Sequence, residues 1–199
     1  MTIAEVPASW LDSDDDRLQA AGVSARALRD NPTSLAVSDD PLVRMELFYG
    51  VFVGLLKDAP GIAARRGECV LGVAAATAPG EPCVGRRLPP EARIISDPGP
   101  DASAVGRLLR VGSVSAANDL AEDHWHVGPV AVEPGFQGTG IGHAVMRMLC
   151  DHFDEQGDLA WLETDKIEDV SFYTSLGFEL VKKVPVFSVA SWFMRREPR

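Results

Sequence analysis

The chain has 199 residues, 46% of them hydrophobic and 24% charged, enough for one domain with a full core. With 19 Lys and Arg against 29 Asp and Glu its net charge is −10, which argues against nucleic acid and anionic membranes as partners. Cys69, Cys83 and Cys150 are odd in number, widely spaced and lack a C-x-x-C or histidine partner pattern. They read as reduced cysteines, two of them half-buried, with no metal site, and with no basic-then-apolar leader a cytoplasmic location is expected.

Residues 1–16 are polar and end in Asp12-Ser13-Asp14-Asp15-Asp16, the composition of a flexible or lightly docked arm. Residues 17–29 have helical potential. Asp39-Asp40-Pro41 predicts a second helix over 42–56, with Asp39 or Asp40 as its cap and Pro41 at its first position. The apolar run over 47–56 holds Gly50 and Gly54 and is too short for a membrane span. Residues 61–77 read as a hairpin turned around Arg66-Gly67. From 78 to 100 prolines and glycines mark a long loop, and 101–121 hold another helix.

The second half is more regular. A strand over 127–132 ends at Pro134-Gly135, and glycines then alternate at Gly138, Gly140 and Gly142. From Ile141 the apolar residues fall at 141, 144, 145, 148 and 149, one face of a helix that runs to Gln156 and stops at Gly157. Glycines at a helix start let successive N–H groups converge, and the unpaired first-turn donors and the helix dipole favour an anion there. The G-x-G-x-G spacing is neither the dinucleotide fingerprint G-x-G-x-x-G nor a P-loop, which needs Gly-Lys-Ser/Thr. Pro129 has no N–H, so the strand's ladder must break there, leaving it free to splay from its neighbour.

Residues 159–164 read as a buried strand, and Asp165 with Glu168 as a capping-box start to a short helix through Phe172 and Tyr173. Two strands follow, over 179–184 and 188–195. Strand–helix–strand at this length implies a parallel, right-handed crossover.

The spacing Gln137-x-x-Gly140-x-Gly142, with Leu162-Glu163-Thr164 and Glu168-x-Val170-x-Phe172-Tyr173-x-x-x-Gly177-Phe178, resembles the GCN5-related N-acetyltransferase (GNAT) family. The resemblance covers 125–194 well and the preceding part more weakly. It implies a single α/β domain over 1–199, with a mixed, mostly antiparallel sheet flanked by helices. Within it, a parallel strand–helix–strand unit would bind acetyl-CoA. The "F-Y-x-x-x-G-F" form is typical of members acting on small molecules, so the implied reaction is direct acetyl transfer to a small-molecule amine.

Residue by residue, the resemblance implies that Val130, Ala131 and Val132 offer backbone to the thioester arm. Gln137, Gly138, Thr139, Gly140, Ile141, Gly142 and His143 would cradle the pyrophosphate, and Asp169 and Phe172 would touch the cofactor. Tyr173 would protonate the leaving thiolate. Relatives often carry Arg or Lys where Thr139 stands and asparagine where Asp169 stands. Arg147 is a candidate for the 3′-phosphate.

The base stays open among His126 or His124, which share one face of a strand, Glu163 on the adjacent strand, and a water. Asp39, Asp40, Glu46, Glu122 and Asp123 are expected around the acceptor mouth, where they would steer polyamine-like cations. Two other classes are kept: a non-catalytic acyl-CoA-binding sensor and a nucleotide-binding α/β domain. A homodimer is left open.

Overall fold

The computed structural model describes residues 6–82, 99 and 102–199. In chain order it holds β1 (Ala8–Trp10), α1 (Asp14–Leu28), α2 (Pro32–Val37), α3 (Pro41–Leu56), β2 (Gly61–Arg66) and β3 (Cys69–Thr77). Then come α4 (Ala104–Asn118), β4 (Trp125–Val132), α5 (Ile141–Gln156), β5 (Ala160–Thr164), α6 (Ile167–Ser175), β6 (Glu179–Val186) and β7 (Val189–Arg196). A 3-10 turn at Pro134–Phe136 joins β4 to α5. The strands form one sheet in the order β1-β2-β3-β4-β5-β7-β6, antiparallel except for the β4–β5 pair. This is the mixed α/β architecture expected.

Period-two alternation sends the sheet's side chains to two cores. Ile62, Ala64, Ala74 and Ala76 face α5, whose Val145, Met146, Leu149 and Phe153 fill that side. Ala63, Val73 and Ala75 face the opposite core with Val23 of α1 and Phe52 and Leu56 of α3. The buried stripe of α5 is rotated slightly from the expected one. Met146 and Cys150 are inside, whereas Ala144 and Met148 are half-buried. Gly157 ends α5 in the left-handed conformation, φ 72°, as its position predicts.

Residues 1–16 do not form an arm over their described part. β1 pairs antiparallel with β2, Ala8 opposite Ala64 and Trp10 opposite Ile62. The acidic run is a helix start: Ser13 Oγ accepts the Asp16 N–H at 3.1 Å, and Asp14, Asp15 and Asp16 occupy the first turn of α1. Carboxylates there face the positive end of the helix dipole, so a polar, acidic run is ordered by geometry that composition does not reveal. Asp16 also pairs with Arg65 of β2 at 2.8 Å.

A second correction concerns Asp165. The N-cap of α6 is Lys166, with no side-chain capping bond. Asp165 instead accepts the Thr33 N–H at 2.7 Å and the Asn31 amide at 3.2 Å, and so caps α2, an element the sequence reading did not include. A cap need not be local when a distant helix start presents its free N–H groups to the same carboxylate. Of the cysteines, Cys69 is exposed and Cys150 buried, with burial pushing the Cys150 thiol up to about 11; neither is half-buried as expected, and Cys83 and most of the expected 78–100 loop lie outside the described residues. No helix among the described residues is long and apolar enough to cross a membrane.

Candidate active site

The site begins where β4 leaves its neighbours. Against β3 the register runs Ala74 to Val130 and then Ala76 to Val127, so Gly128-Pro129 carries one extra residue on β4. A bulge of this kind exchanges the two faces of a strand. Before it, Trp125 and Val127 belong to the α5 core; after it Val130 and Val132 pack there, while Ala131 turns to the other side. Against β5, β4 pairs only at Trp125 and His126. The two strands part beyond that point, ahead of Pro129, and the interruption expected at Pro129 is the bulge against β3.

At the end of β4 the chain makes the 3-10 turn and enters α5 through Gly138 (φ 74°) and Gly140 (φ 91°), the latter in the N-cap position. Both angles lie in the region that favours glycine. The Thr139 hydroxyl donates to the Phe136 carbonyl at 2.6 Å and the Gln137 amide to the Val132 carbonyl at 3.2 Å, so these side chains close the turn. The first helical bond runs from Ala144 to the Gly140 carbonyl at 3.0 Å, which leaves the N–H groups of Ile141, Gly142 and His143 ahead of the ladder. A Cβ on Gly142 would meet Phe172 and Val132 atoms at 3.6 Å, ordinary contact, so the protein alone does not demand glycine there.

The cradle is held against the sheet and α6. A Cβ on Gly72 of β3 would collide with Cγ2 of Ile141, so this glycine lets the first turn of α5 sit close. The His143 ring lies edge-on to Phe172, centroids 4.8 Å apart. Its Nε2 is 3.2 Å from Ser175 Oγ, which donates its own proton to the Phe172 carbonyl; the histidine is therefore the donor. Arg147 stands exposed further along α5.

A cavity of about 380 Å³ opens at the splay. Val127 to Val130 form one wall, Glu163, Thr164 and Asp165 the end of β5, and Asp169 and Tyr173 the α6 side. Helices α3 and α4 supply most of the rest, with Leu28, Asn31, Thr33 and Ser34 around the start of α2, Thr77 of β3 and Ser191 of β7. Tyr173 is 8% exposed, packed on Phe172 and Phe178. Burial and then the charges of Asp169, Glu163 and Asp165 raise its phenol above the ordinary value, so it stays protonated.

His126 does not stand ready as a base. Its Nδ1 is 3.0 Å from Asp119 Oδ1 and its Nε2 is 3.0 Å from Glu163 Oε2. Burial would lower its pKa, but the Glu163 charge and the hydrogen bonds to Asp119 and Glu163 outweigh that and raise it to about 10. At neutral pH it is an imidazolium between two carboxylates. Glu163 is driven up by burial yet held lower overall by the His126 charge and by bonds from His126 and from Ser115 Oγ at 2.5 Å. Asp119 is opposed by burial but kept well below the carboxylate range by its two histidines. His124 bonds Asp119 at 2.9 Å and the Glu122 carbonyl at 2.8 Å.

Asp119, His124 and His126 bring donor atoms within 4.8 Å of one another, a D-x-x-x-x-H-x-H grouping that contains no cysteine. Burial raises the pKa of Asp169, against the opposing charge of Lys166 and a 3.3 Å bond from Thr164.

Of the acids expected at the acceptor mouth, none lines the cavity: Asp39, Asp40, Glu46, Glu122 and Asp123 lie elsewhere, Asp40 capping α3 and Glu122 pairing with Arg195. The acidic groups that do line it are Glu163, Asp165 and Asp169. Ser115 escaped sequence reading because its partner Glu163 lies 48 residues away, and Asp119 because its two histidines, five and seven residues on, meet it only through the turn between α4 and β4.

A profile of the acetyltransferase (GNAT) family matches residues 46–178. The N-alpha-acetyltransferase RimI of Mycobacterium tuberculosis is 30% identical over 82 residues, 40% of this chain and 51% of that protein, so the match spans about half the length of that relative. A Corynebacterium glutamicum structure described as a histone acetyltransferase HPA2 and related acetyltransferase superposes with a TM-score of 0.68 at 20% identity, covering 96% of this chain and 97% of that one. The Drosophila melanogaster polyamine N-acetyltransferase, which forms N-acetylagmatine, gives 0.65 at 14% identity over 96% and 100% of the two chains.

Proposed function

The chain belongs to the acetyltransferase (GNAT) family, and on that premise we propose that it moves the acetyl group of acetyl-CoA to the amine of a small molecule. The observation that carries this reading is the cavity at the β4–β5 splay, a walled chamber with Tyr173 in its lining. Such a chamber suits a whole small acceptor better than an open groove would. The cofactor's pyrophosphate sits on the N–H groups of Ile141, Gly142 and His143, which explains how a protein of charge −10 holds a polyanion: backbone dipoles carry the site. Val130 to Val132 offer backbone to the thioester arm, and Phe172 backs the cradle through Gly142.

In the transfer, the amine nitrogen attacks the thioester carbon, a C–N bond forms and the C–S bond breaks. The ammonium loses one proton to solvent through cavity water beforehand. Tyr173 gives its proton to the departing sulfur and regains one from the new amide nitrogen, so acetyl-CoA and R-NH3+ yield the amide, coenzyme A thiol and one H+. His126, already protonated, anchors Glu163 rather than accepting the proton. Alignment of the two reactants in the chamber supplies much of the rate.

A second reading has one supporting observation, the 30% identity to an N-alpha-acetyltransferase: the acceptor is then the N-terminal amine of a polypeptide. Thiol release from acetyl-CoA with small amines and with short peptides, run side by side, separates the two. Turnover confined to peptides removes the small-molecule reading. Coenzyme A binding without thiol release from any acceptor supports an acyl-CoA sensor instead, and stabilisation by NAD or ATP but not coenzyme A returns the argument to a nucleotide-binding domain.

A further inference from the structure

The apolar run at 47–56 is longer than burial against one neighbour requires. Helix α3 carries apolar residues around most of its circumference, and the reason is that it has two apolar neighbours. Phe52 and Leu56 are buried in the core shared with α1. Phe48, Val51, Phe52 and Leu55, spaced i, i+3, i+4, i+7 along one face, line the cavity, and all but Phe52 remain only half-buried. From the other side α4 presents Leu108 and Val111 to the same space. A helix face of this kind, left partly uncovered inside a walled chamber, is apolar surface awaiting an apolar occupant.

The carboxylates of the chamber other than Asp169 are committed. Glu163 is bound by His126 and Ser115, and Asp165 by the Thr33 N–H and the Asn31 amide. Asp169 is different: among the described contacts its carboxylate receives one hydrogen bond, a 3.3 Å contact from Thr164, although it is half-buried beside Tyr173. A carboxylate with spare lone pairs in apolar surroundings is best matched by a cationic donor. An ammonium group has three N–H donors and the opposite charge.

Resting on the small-molecule reading above, we infer that the acceptor is a primary amine with a single apolar body, aryl or branched alkyl, which packs between α3 and α4 while its ammonium meets Asp169. The same walls disfavour other amines. A polyamine would bring a second charge against Phe48, Val51 and Leu108, apolar side chains that offer it no partner. An amino acid would bring a carboxylate toward Glu163, Asp165 and Asp169. Asp169, the departure from the family's asparagine, thus serves the acceptor and not the cofactor.

The test is a comparison of kcat/KM at saturating acetyl-CoA for 2-phenylethylamine, 3-methylbutylamine, agmatine, spermidine and phenylalanine, with coenzyme A affinity followed by thermal shift. The two apolar amines should exceed agmatine and spermidine at least tenfold, with phenylalanine the poorest. Asp169→Asn should raise KM for 2-phenylethylamine tenfold or more while leaving coenzyme A affinity within twofold. Val51→Thr, which keeps shape and adds a hydroxyl to the wall, should lower kcat/KM for the apolar amines severalfold. Equal or better turnover of agmatine or spermidine overturns the inference and leaves small-molecule transfer standing. Turnover of peptides alone overturns the underlying reading as well. Loss of coenzyme A affinity in Asp169→Asn overturns the acceptor role of that residue.

Discussion

The two halves of the site are built from different materials. The cradle is one contiguous stretch, the 3-10 turn and the first turn of α5, and its donors are backbone N–H groups fixed by two left-handed glycines and the end of a strand. The chamber proposed for the acceptor is assembled mainly from α2, α3, α4, β4, β5 and α6, and each wall comes from a different part of the chain. A backbone site depends on conformation and tolerates most side-chain changes nearby. A side-chain site changes its preferences with single substitutions. One fold can therefore keep its cofactor while its acceptor drifts.

The contrast is sharpest at His126, on the chamber side. Removing it leaves Asp119 and Glu163 ionised, close and largely out of water. His126→Ala should cost about 3–5 kcal/mol of stability, the price of orphaning a buried charge; denaturant unfolding measures it. Because its folded pKa is raised from 6.5 to about 10, the wild-type contribution is complete below about pH 6.5 and disappears as pH rises through 10. Melting temperature should fall over that interval in the wild type and less steeply in His126→Asn. Asp119 and Glu163, both depressed, contribute in the opposite sense and lose their part as the solution becomes strongly acidic. An alkaline slope identical in both proteins would mean that His126 is neutral in the fold.

Next in size is Tyr173→Phe. If Tyr173 protonates the leaving thiolate as proposed, its loss should lower kcat by roughly 10²-fold or more with coenzyme A affinity near normal. Near-normal turnover would leave Tyr173 as a packing residue between Phe172 and Phe178.

The cradle should respond differently. Gly140→Ala forces a side chain into φ 91° and should cost about 1–2 kcal/mol of stability from conformation alone. Gly142→Ala meets only ordinary contacts in the protein and should fold normally. Any loss of coenzyme A affinity in Gly142→Ala then reports the closeness of the ligand itself, and calorimetric titration reads it. Unchanged affinity would move the pyrophosphate off this turn.

The smallest effect belongs to Arg26, whose guanidinium pairs with Glu133 at 2.8 Å and ties α1 to the approach to the cradle. Arg26 is about half exposed, so Arg26→Ala should change stability by no more than about 1 kcal/mol and leave coenzyme A affinity intact. A large loss of affinity would show that the cradle leans on α1 and is less self-contained than its backbone construction suggests.

What the sequence determined by itself was the local geometry. Alternating glycines, Pro129 in a strand, the apolar stripe of α5 and Gly157 each act on neighbours a few residues away, so the interruption of β4, the cradle and the end of α5 were legible. The cap of α3 by Asp40 and the β2–β3 hairpin were legible for the same reason. Only the tertiary structure decided the rest. It made the acidic run the first turn of α1 and β1 a paired strand, and it assigned Asp165 to α2. It set His126 between Asp119 and Glu163, and so turned a candidate base into a fixed cation. It also turned one face of α3 toward a chamber in place of solvent. Burial and pairing of charge depend on which distant residues meet, and a pKa or a cavity wall belongs to that meeting rather than to any one segment.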